Sequence, residues 1–402
     1  MRRIIFLVML ISSYVFGYSL FKFYLPIYFR NLGAPFQLLG VLFSVLYLLS
    51  ALGVMLWGRL CDIMGSRNVL LLICLTSFLT IFLLNFSNHW LLAFTLLLIY
   101  SFVWTGRSIA TQVLTANLVP KEKLASGMSL IYLPPRIMPV IGPLIGGIVI
   151  SFLGYSNLFI MASLLFLLST SLSFFMPNIR FKGGEKGRGT YLSLIRDNRE
   201  FRSYLLSILL AVNMPMSILG PYLTLYLLEI GMSESTIGFT FSLNSISALI
   251  MQVPGGVLLD KKFSRREDRL KALRFFITLS LLSSLIKIII YLASNPFLVF
   301  IAYASSGIID GLTTGPSLSY QIEILSKDTV GMGIGLLRSA SDTTTILGQL
   351  LGSLLLHVTK SIKELFPISI IFSIIGLIIY IKGGNKNNIS SQSNGDNSLC
   401  NT

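Results

Sequence analysis

Apolar runs long enough to cross a bilayer recur along the whole chain, and no other feature restricts its fold as tightly. They lie at about 4–28, 37–57, 68–86, 90–117, 125–152 and 157–177. After a polar break they resume at about 203–228, 236–259, 272–293, 297–324, 330–357 and 366–381. One helical crossing of the hydrocarbon core takes about 20 apolar residues. The pattern therefore predicts an all-α integral membrane protein of twelve transmembrane helices. Composition agrees, since 54% of residues are hydrophobic and 12% charged, a balance foreign to soluble domains. The first run, which follows Met1-Arg2-Arg3, is longer than the core of a cleaved signal and lacks a small-residue cleavage site. It reads as a retained span.

The formal charge of +15 is carried by short loops rather than by one basic face, so it speaks for orientation in a membrane and not for nucleic acid. With the N-terminus in the cytosol, the loops on that side hold Arg59, Arg67, Lys121, Lys123, the run Arg180 to Arg202, the run Lys261 to Arg274, and Lys327. The opposite loops hold only Arg30, Lys360 and Lys363. Basic loops stay inside. A multi-pass protein of the cell membrane with both termini cytosolic is the expected topology. Cys61, Cys74 and Cys400 have no paired spacing, and His89 and His357 flank outer loops, so neither a disulfide framework nor a metal site is expected. No cofactor is called for.

The sequence is organised around a short charged cassette that occurs twice. Gly58-Arg59-Leu60-Cys61-Asp62-Ile63-Met64-Gly65-Ser66-Arg67 closes the second run, and Gly256-Val257-Leu258-Leu259-Asp260-Lys261-Lys262-Phe263-Ser264-Arg265 closes the eighth. Both place Gly and Asp four residues apart at the end of an apolar helix, with an Arg five residues beyond the Asp. Other landmarks repeat too. Gly33 and Gly40 match Gly231 and Gly238, Gly127 matches Gly333, and Gly142 and Gly146 match Gly348 and Gly352. The chain reads as a duplicated six-span unit: a bundle over 1–178, a cytosolic linker over 179–202, a second bundle over 203–382 and a disordered cytosolic tail over 383–402. Within the linker, Tyr191 to Arg202 suits either an amphipathic helix on the membrane surface or a plain solvated connection.

The cassette resembles the loop motif of the major facilitator superfamily, G-x-x-x-D-(R/K)-x-G-x-(R/K), between the second and third spans. Gly58, Asp62, Gly65 and Arg67 match it in the first copy, with Ile63 in place of a base; Gly256, Asp260, Lys261 and Arg265 match in the second, with Phe263 in place of a glycine. The resemblance implies two pseudo-symmetric six-helix bundles with a substrate cavity near the midplane, alternating access, and a monomer. It also implies gating by the cassettes. Asp62 would latch one state against the eleventh span, where Arg338 sits two turns in, and Asp260 would act against the fifth span near Lys123. Enforcement of topology by the same charges is the bland alternative. Gly142-Pro143-Leu144-Ile145-Gly146-Gly147 is similar to the family's G-P-x-x-G-G signature on the fifth span. It stands either for close helix packing or, as a hint, for export.

Charges inside the predicted spans are the sharpest clue to a site. Arg107 falls mid-way along the fourth span, Arg136 on the fifth, Asp310 on the tenth and Asp342 on the eleventh. Each lies about ten or more residues from a helix end, roughly 15 Å deep at 1.5 Å per residue, too deep to reach water easily. Either they neutralise one another structurally, or an aspartate exchanges a proton as substrate arrives, with Asp310 the first choice. Lys22 is placed either at the outer surface or in the cavity, and Lys287 is expected to snorkel and Glu323 to be solvated. Asn213 and Gln112, with Tyr222, Asn244 and Tyr132, are candidate hydrogen-bonding groups.

These readings predict a secondary transporter of a small organic solute, coupled to protons. A non-transporting sensor or a lipid scramblase on the same fold is the alternative. An ATP-driven pump is disfavoured because no G-x-x-x-x-G-K-[ST] loop is present, and a membrane enzyme because no nucleophile–base pair is in view. The three bases Lys22, Arg107 and Arg136 favour an organic anion slightly, with a lipophilic drug or a sugar close behind.

Overall fold

The computed structural model describes residues 2–395 except 119–123, 181–193, 197, 263–265, 293–294 and 326–329, and it leaves undescribed the side chains at 55, 116, 124–130, 259–262, 266–267, 290, 292, 330–332 and 384–395. The described residues fold into helices and short turns. The first crossing is α1 (Arg2–Phe21), a 3₁₀ turn at Lys22–Tyr24 and α2 (Leu25–Asn31). Then come α3 (Leu39–Met64), α4 (Ser66–Leu83), α5 (Trp90–Leu118) and α6 (Leu124–Ser173). The second half holds α7 (Arg199–Ile208), a π-helical turn at Leu209–Asn213, α8 (Met214–Glu229), α9 (Glu234–Lys262), α10 (Arg266–Leu292), α11 (Pro296–Glu323), α12 (Val330–Thr359) and α13 (Leu365–Gly395).

Ten stretches among the described residues are long and apolar enough to cross a membrane. One of them, Ile131–Ser173, is 43 residues long and holds two crossings. They part at Gly154, whose φ of +81° and ψ of 175° interrupt α6 in a region open to glycine. The 30-residue α12 is long enough but is diluted by Arg338, Asp342, Gln349 and three consecutive threonines. Counting α6 twice and adding α12 gives the twelve crossings that the sequence predicts.

Two differences from the expected boundaries concern helix ends. Residues 199–202, expected in the linker, form the start of the seventh crossing, because Asn198 caps α7 by accepting from Phe201 N at 2.9 Å. The tail, expected to begin at 383, continues α13 as helix to Gly395. Residues 396–402 lie outside the described part.

By contacts the chain groups into two compact units: Met1–Glu185 with Pro221–Ser245, and Lys186–Gly220 with Ile246–Thr402. The assignment of Pro221–Ser245 to the first unit departs from the expected 203–382 bundle and has a plain physical cause. This segment, the turn joining α8 to α9 with its flanks, packs on the 3₁₀ turn of the first crossing, α3 and α6 at the end poor in basic loops. Tyr24 OH donates to Pro143 O at 2.6 Å and lies 3.3 Å from Glu234 O. Leu144 N donates to Ser242 Oγ at 3.1 Å, Gly40 N to Tyr222 OH at 2.9 Å, and Phe23 stacks on Phe241 at 4.4 Å.

Small residues make that contact possible. In a bilayer, helices associate through close packing rather than hydrophobic expulsion, so a missing Cβ is worth much. A Cβ on Gly142 would strike Ser19, one on Gly146 the carbonyl of Leu20, one on Gly147 the backbone of Glu234, and one on Gly238 the carbonyl of Pro143. The fifth-span signature is therefore a packing device on two sides, against α1 and against α9. Four prolines, Pro134, Pro135, Pro139 and Pro143, run through the same stretch of α6 and leave backbone groups for other helices to use.

The second unit is tied at its base-rich end by one carboxylate. Glu200 Oε1 accepts from Arg274 Nη2 at 3.0 Å and from Tyr320 OH at 2.8 Å, so α7, α10 and α11 converge on it. Gln321 Nε2 donates to Tyr204 OH at 2.9 Å, and Tyr204 meets Tyr320 edge-on at 5.1 Å. Glu323, expected to be solvated, instead accepts from Arg269 Nε at 2.6 Å, because antiparallel α10 and α11 bring the two to the same end.

Two outcomes are expected. Gly146→Leu forces a side chain onto backbone and lowers stability by about 1–3 kcal/mol, the range for overpacked interiors, read as a lower melting temperature in detergent; an unchanged melting temperature would contradict the packing role. Glu200→Ala, which strands the partly exposed Arg274, costs about 1–2 kcal/mol after allowance for solvent. Tyr320→Phe costs less, and equal losses in the two variants would remove Glu200 from the centre of the network.

Candidate functional site

Of the charges placed deep in the spans, Asp310 pairs with a base of its own unit, whereas Arg107 lies against aromatic rings. Arg107 on α5 is nine-tenths buried. Its guanidinium lies 5.0 Å from the Trp104 ring centre and 5.2 Å from that of Tyr14. Tyr18 covers Trp104 at 3.9 Å, and Tyr14 OH is bonded to Ser77 Oγ at 2.7 Å. No carboxylate pairs with Arg107 among the described residues, and its buried Nε has no hydrogen-bond partner. Ring faces supply the missing negative potential, an attraction that strengthens when the cation is stripped of water.

Asp310 on α11 is paired with Lys287 on α10, Nζ to Oδ2 at 3.4 Å. The lysine side chain is 13% exposed and the aspartate 44%. Lys287 Nζ also lies 5.9 Å from the Tyr303 ring. The expectation that Lys287 snorkels to the surface is overturned: its ammonium turns to the Asp310 carboxylate on the next helix, which supplies a countercharge inside the span. The signal that could have revealed it is the short connection between α10 and α11, which makes them antiparallel neighbours and brings their lone intramembrane charges together.

On α12, Arg338 and Asp342 stand one turn apart on an exposed stripe that also carries Ser339 and Thr343. Beside it, Ser341 Oγ accepts from Asn213 Nδ2 at 2.7 Å. Asn213 closes the π-helical turn of the seventh crossing, a local irregularity that recurs at functional positions. Its amide thus ties that turn to α12 next to Asp342. Lys22, in the 3₁₀ turn of the first crossing, is exposed and sits 5.2 Å from the Phe23 ring and 5.6 Å from that of Tyr18. Arg136 on α6 and Gln112 on α5 are exposed, and neither pairs with a carboxylate among the described residues. Of the other hydrogen-bonding candidates, Tyr222 is occupied by Gly40 and Gln37 in the packing of the first unit.

The first cassette is fixed by geometry. Gly65 takes φ +86° and ψ 154° between α3 and α4, where a Cβ would also strike the Asn178 amide. The same turn is clamped by the segment after the sixth crossing: Asn178 Nδ2 donates to Met64 O at 3.1 Å and Ser66 N to Ile179 O at 2.8 Å. Asp62 is exposed, and within its unit it forms no ion pair among the described residues. Arg67 is half-buried, with an unpartnered Nε. Gly58 and Gly256 face open space in this conformation. Arg265, and the side chains of Asp260, Lys261 and Lys123, lie outside the described residues.

Comparison with known proteins gives this arrangement its family. The family model described as Major Facilitator Superfamily matches residues 6–267 and again 216–396. The "Multidrug resistance protein MdtG" of Citrobacter koseri is 25% identical over 352 residues, covering 84% of each chain. The "Multi-drug resistance efflux pump PmrA homolog" of Lactococcus lactis is 25% identical over 350 residues, again covering 84% of each. Among solved structures, a mutant of the nucleoside transporter NupG superposes with a TM-score of 0.75 at 14% identity, covering 95% of this chain and 99% of that one. A bacterial homolog of the human lysosomal transporter Spinster, inward-facing and occupied, also gives 0.75, at 12% identity, covering 95% and 96%. Two overlapping matches that together take in nearly every crossing leave one assignment: the chain is a transporter of the Major Facilitator Superfamily.

Proposed function

We propose that this transporter exports lipophilic organic solutes in exchange for protons, with Asp310 as the group that carries the proton. The observation that bears the reading is the Asp310–Lys287 pair: a half-exposed carboxylate inside the span, held against a largely buried ammonium. Intramembrane ionisable groups of this kind belong to transport paths more often than to scaffolds. Protonation of Asp310 removes the countercharge of Lys287 and leaves a cation in low dielectric, so proton binding shifts the balance between two arrangements of α10 and α11. Relatives named for multidrug resistance support the solute class.

Alternating access asks for ends that open in turn. At the base-poor end, taken as external from the loop charges, Tyr24, Gly147 and Gly238 form the packed contact that must part. At the base-rich end Asp62 gates by pairing when that end closes, with Arg338 on the exposed stripe of α12 as its expected base. An organic-anion substrate is the second reading, favoured by Arg136, which is exposed and lacks a carboxylate partner among the described residues.

In everted vesicles acidified inside, the wild type should accumulate a lipophilic fluorescent cation, and Asp310→Asn should slow this at least about tenfold, some 1.4 kcal/mol of barrier. Lys287→Arg should retain accumulation while Lys287→Met loses it. Full activity in Asp310→Asn would sink the assignment, and accumulation of organic acids lost in Arg136→Gln would favour the second reading. For the latch, Asp62→Asn should raise thiol labelling of a cysteine introduced at Gln112; unchanged labelling would leave the cassette a topology signal only.

A further inference from the structure

At the base-rich end of the second unit a groove of about 650 Å³ opens between α7 and α13. Arg199, Arg202 and Lys382 line one end of it, and Ser203, Leu206 and Ile378 line the rest. The two helices run in opposite directions. Arg199 and Arg202 at the start of α7 therefore sit level with Lys382, past the apolar part of α13, while Leu206 and Ile378 lie one to two turns deeper. Leu206 and Ile378 are 41% and 45% exposed. The helices touch closely here: Ser203 Oγ donates to Ile379 O at 3.0 Å, and a Cβ on Gly383 would strike Ser203.

No carboxylate pairs with any of the three bases among the described residues. The nearest acid in sequence, Glu200, is turned to Arg274 and Tyr320. Three like charges around one groove repel each other unless an anion enters. The lining also changes character along its length, from cationic at the rim to apolar below, which is the profile of a phospholipid and not of a free ion. We infer that this groove is a binding site for an anionic phospholipid, with the headgroup phosphate held by Arg199, Arg202 and Lys382 and an acyl chain lying along Leu206 and Ile378. A lipid seated there joins the first turn of the seventh crossing to the end of the twelfth, beside the Glu200 network. The site depends on the membrane fold alone and stands apart from the transport reading.

The test uses the full chain purified in detergent and titrated with phosphatidylglycerol, phosphatidylcholine or inorganic phosphate, with binding read by native mass spectrometry. Phosphatidylglycerol should bind at least about tenfold tighter than phosphatidylcholine, given that each base near a membrane surface contributes severalfold in affinity for anionic lipid. The triple variant Arg199→Gln, Arg202→Gln, Lys382→Gln should lose the preference, while Arg2→Gln, Arg3→Gln, Arg59→Gln, with the same change in net charge, should keep it. Equal binding of the two lipids, equal loss in the control variant, or competition by inorganic phosphate at the lipid's own concentration would each overturn the proposal. If the triple variant fails to fold, Lys382→Gln against Lys382→Arg decides: weakened binding in the first and restored binding in the second is the expected pattern, and no difference overturns it.

Discussion

A charge inside hydrocarbon has no water to turn to, and most of what is distinctive in this structure follows from how the chain answers that. Arg107 is answered by aromatic faces, Trp104 and Tyr14 within about 5 Å. Asp310 is answered by Lys287 across two neighbouring helices. The Asn213 amide finds the Ser341 hydroxyl. These solutions differ in what they permit. A guanidinium against ring faces is satisfied without a countercharge, whereas a carboxylate and an ammonium depend on one another.

The same economy of polar groups shapes the helices. Prolines crowd α6 along the stretch that meets the first crossing, where Tyr24 OH donates to Pro143 O. Glycines stand where backbone meets backbone, at Gly146 against Leu20 and Gly147 against Glu234. Such a contact rests on shape and a few hydrogen bonds, with little hydrophobic drive to hold it. The Glu200 network at the base-rich end of the second unit is built differently, on an ion pair, and is better suited to holding helices together throughout.

Much of this could be read from the sequence, because membrane insertion imposes rules that short windows obey. Run length gave the crossings, including the break between the fifth and sixth, and the second glycine of the first cassette takes the positive φ at Gly65. What escaped depends on which helices are neighbours. Lys287 taken alone looks like a snorkelling lysine, and Glu323 like a solvated one; only the packing of α10 against α11 turns them into partners of Asp310 and Arg269. Glu200 gave no signal at all, since it sits in a charged stretch that reads as linker until Asn198 caps a helix there. The packing of Pro221–Ser245 within the first unit was likewise invisible, because it joins residues about a hundred or more positions apart.

The proposal stands or falls with Asp310 as the group that gives up a proton in exchange for solute. Its most direct test is to add a saturating lipophilic cation to the purified protein in weakly buffered detergent and count the protons released. The account predicts release of about one proton per bound solute from the wild type and none from Asp310→Asn, as linkage between binding and protonation requires. Release that persists unchanged in Asp310→Asn, or binding by the wild type with no proton release at any pH, would contradict it.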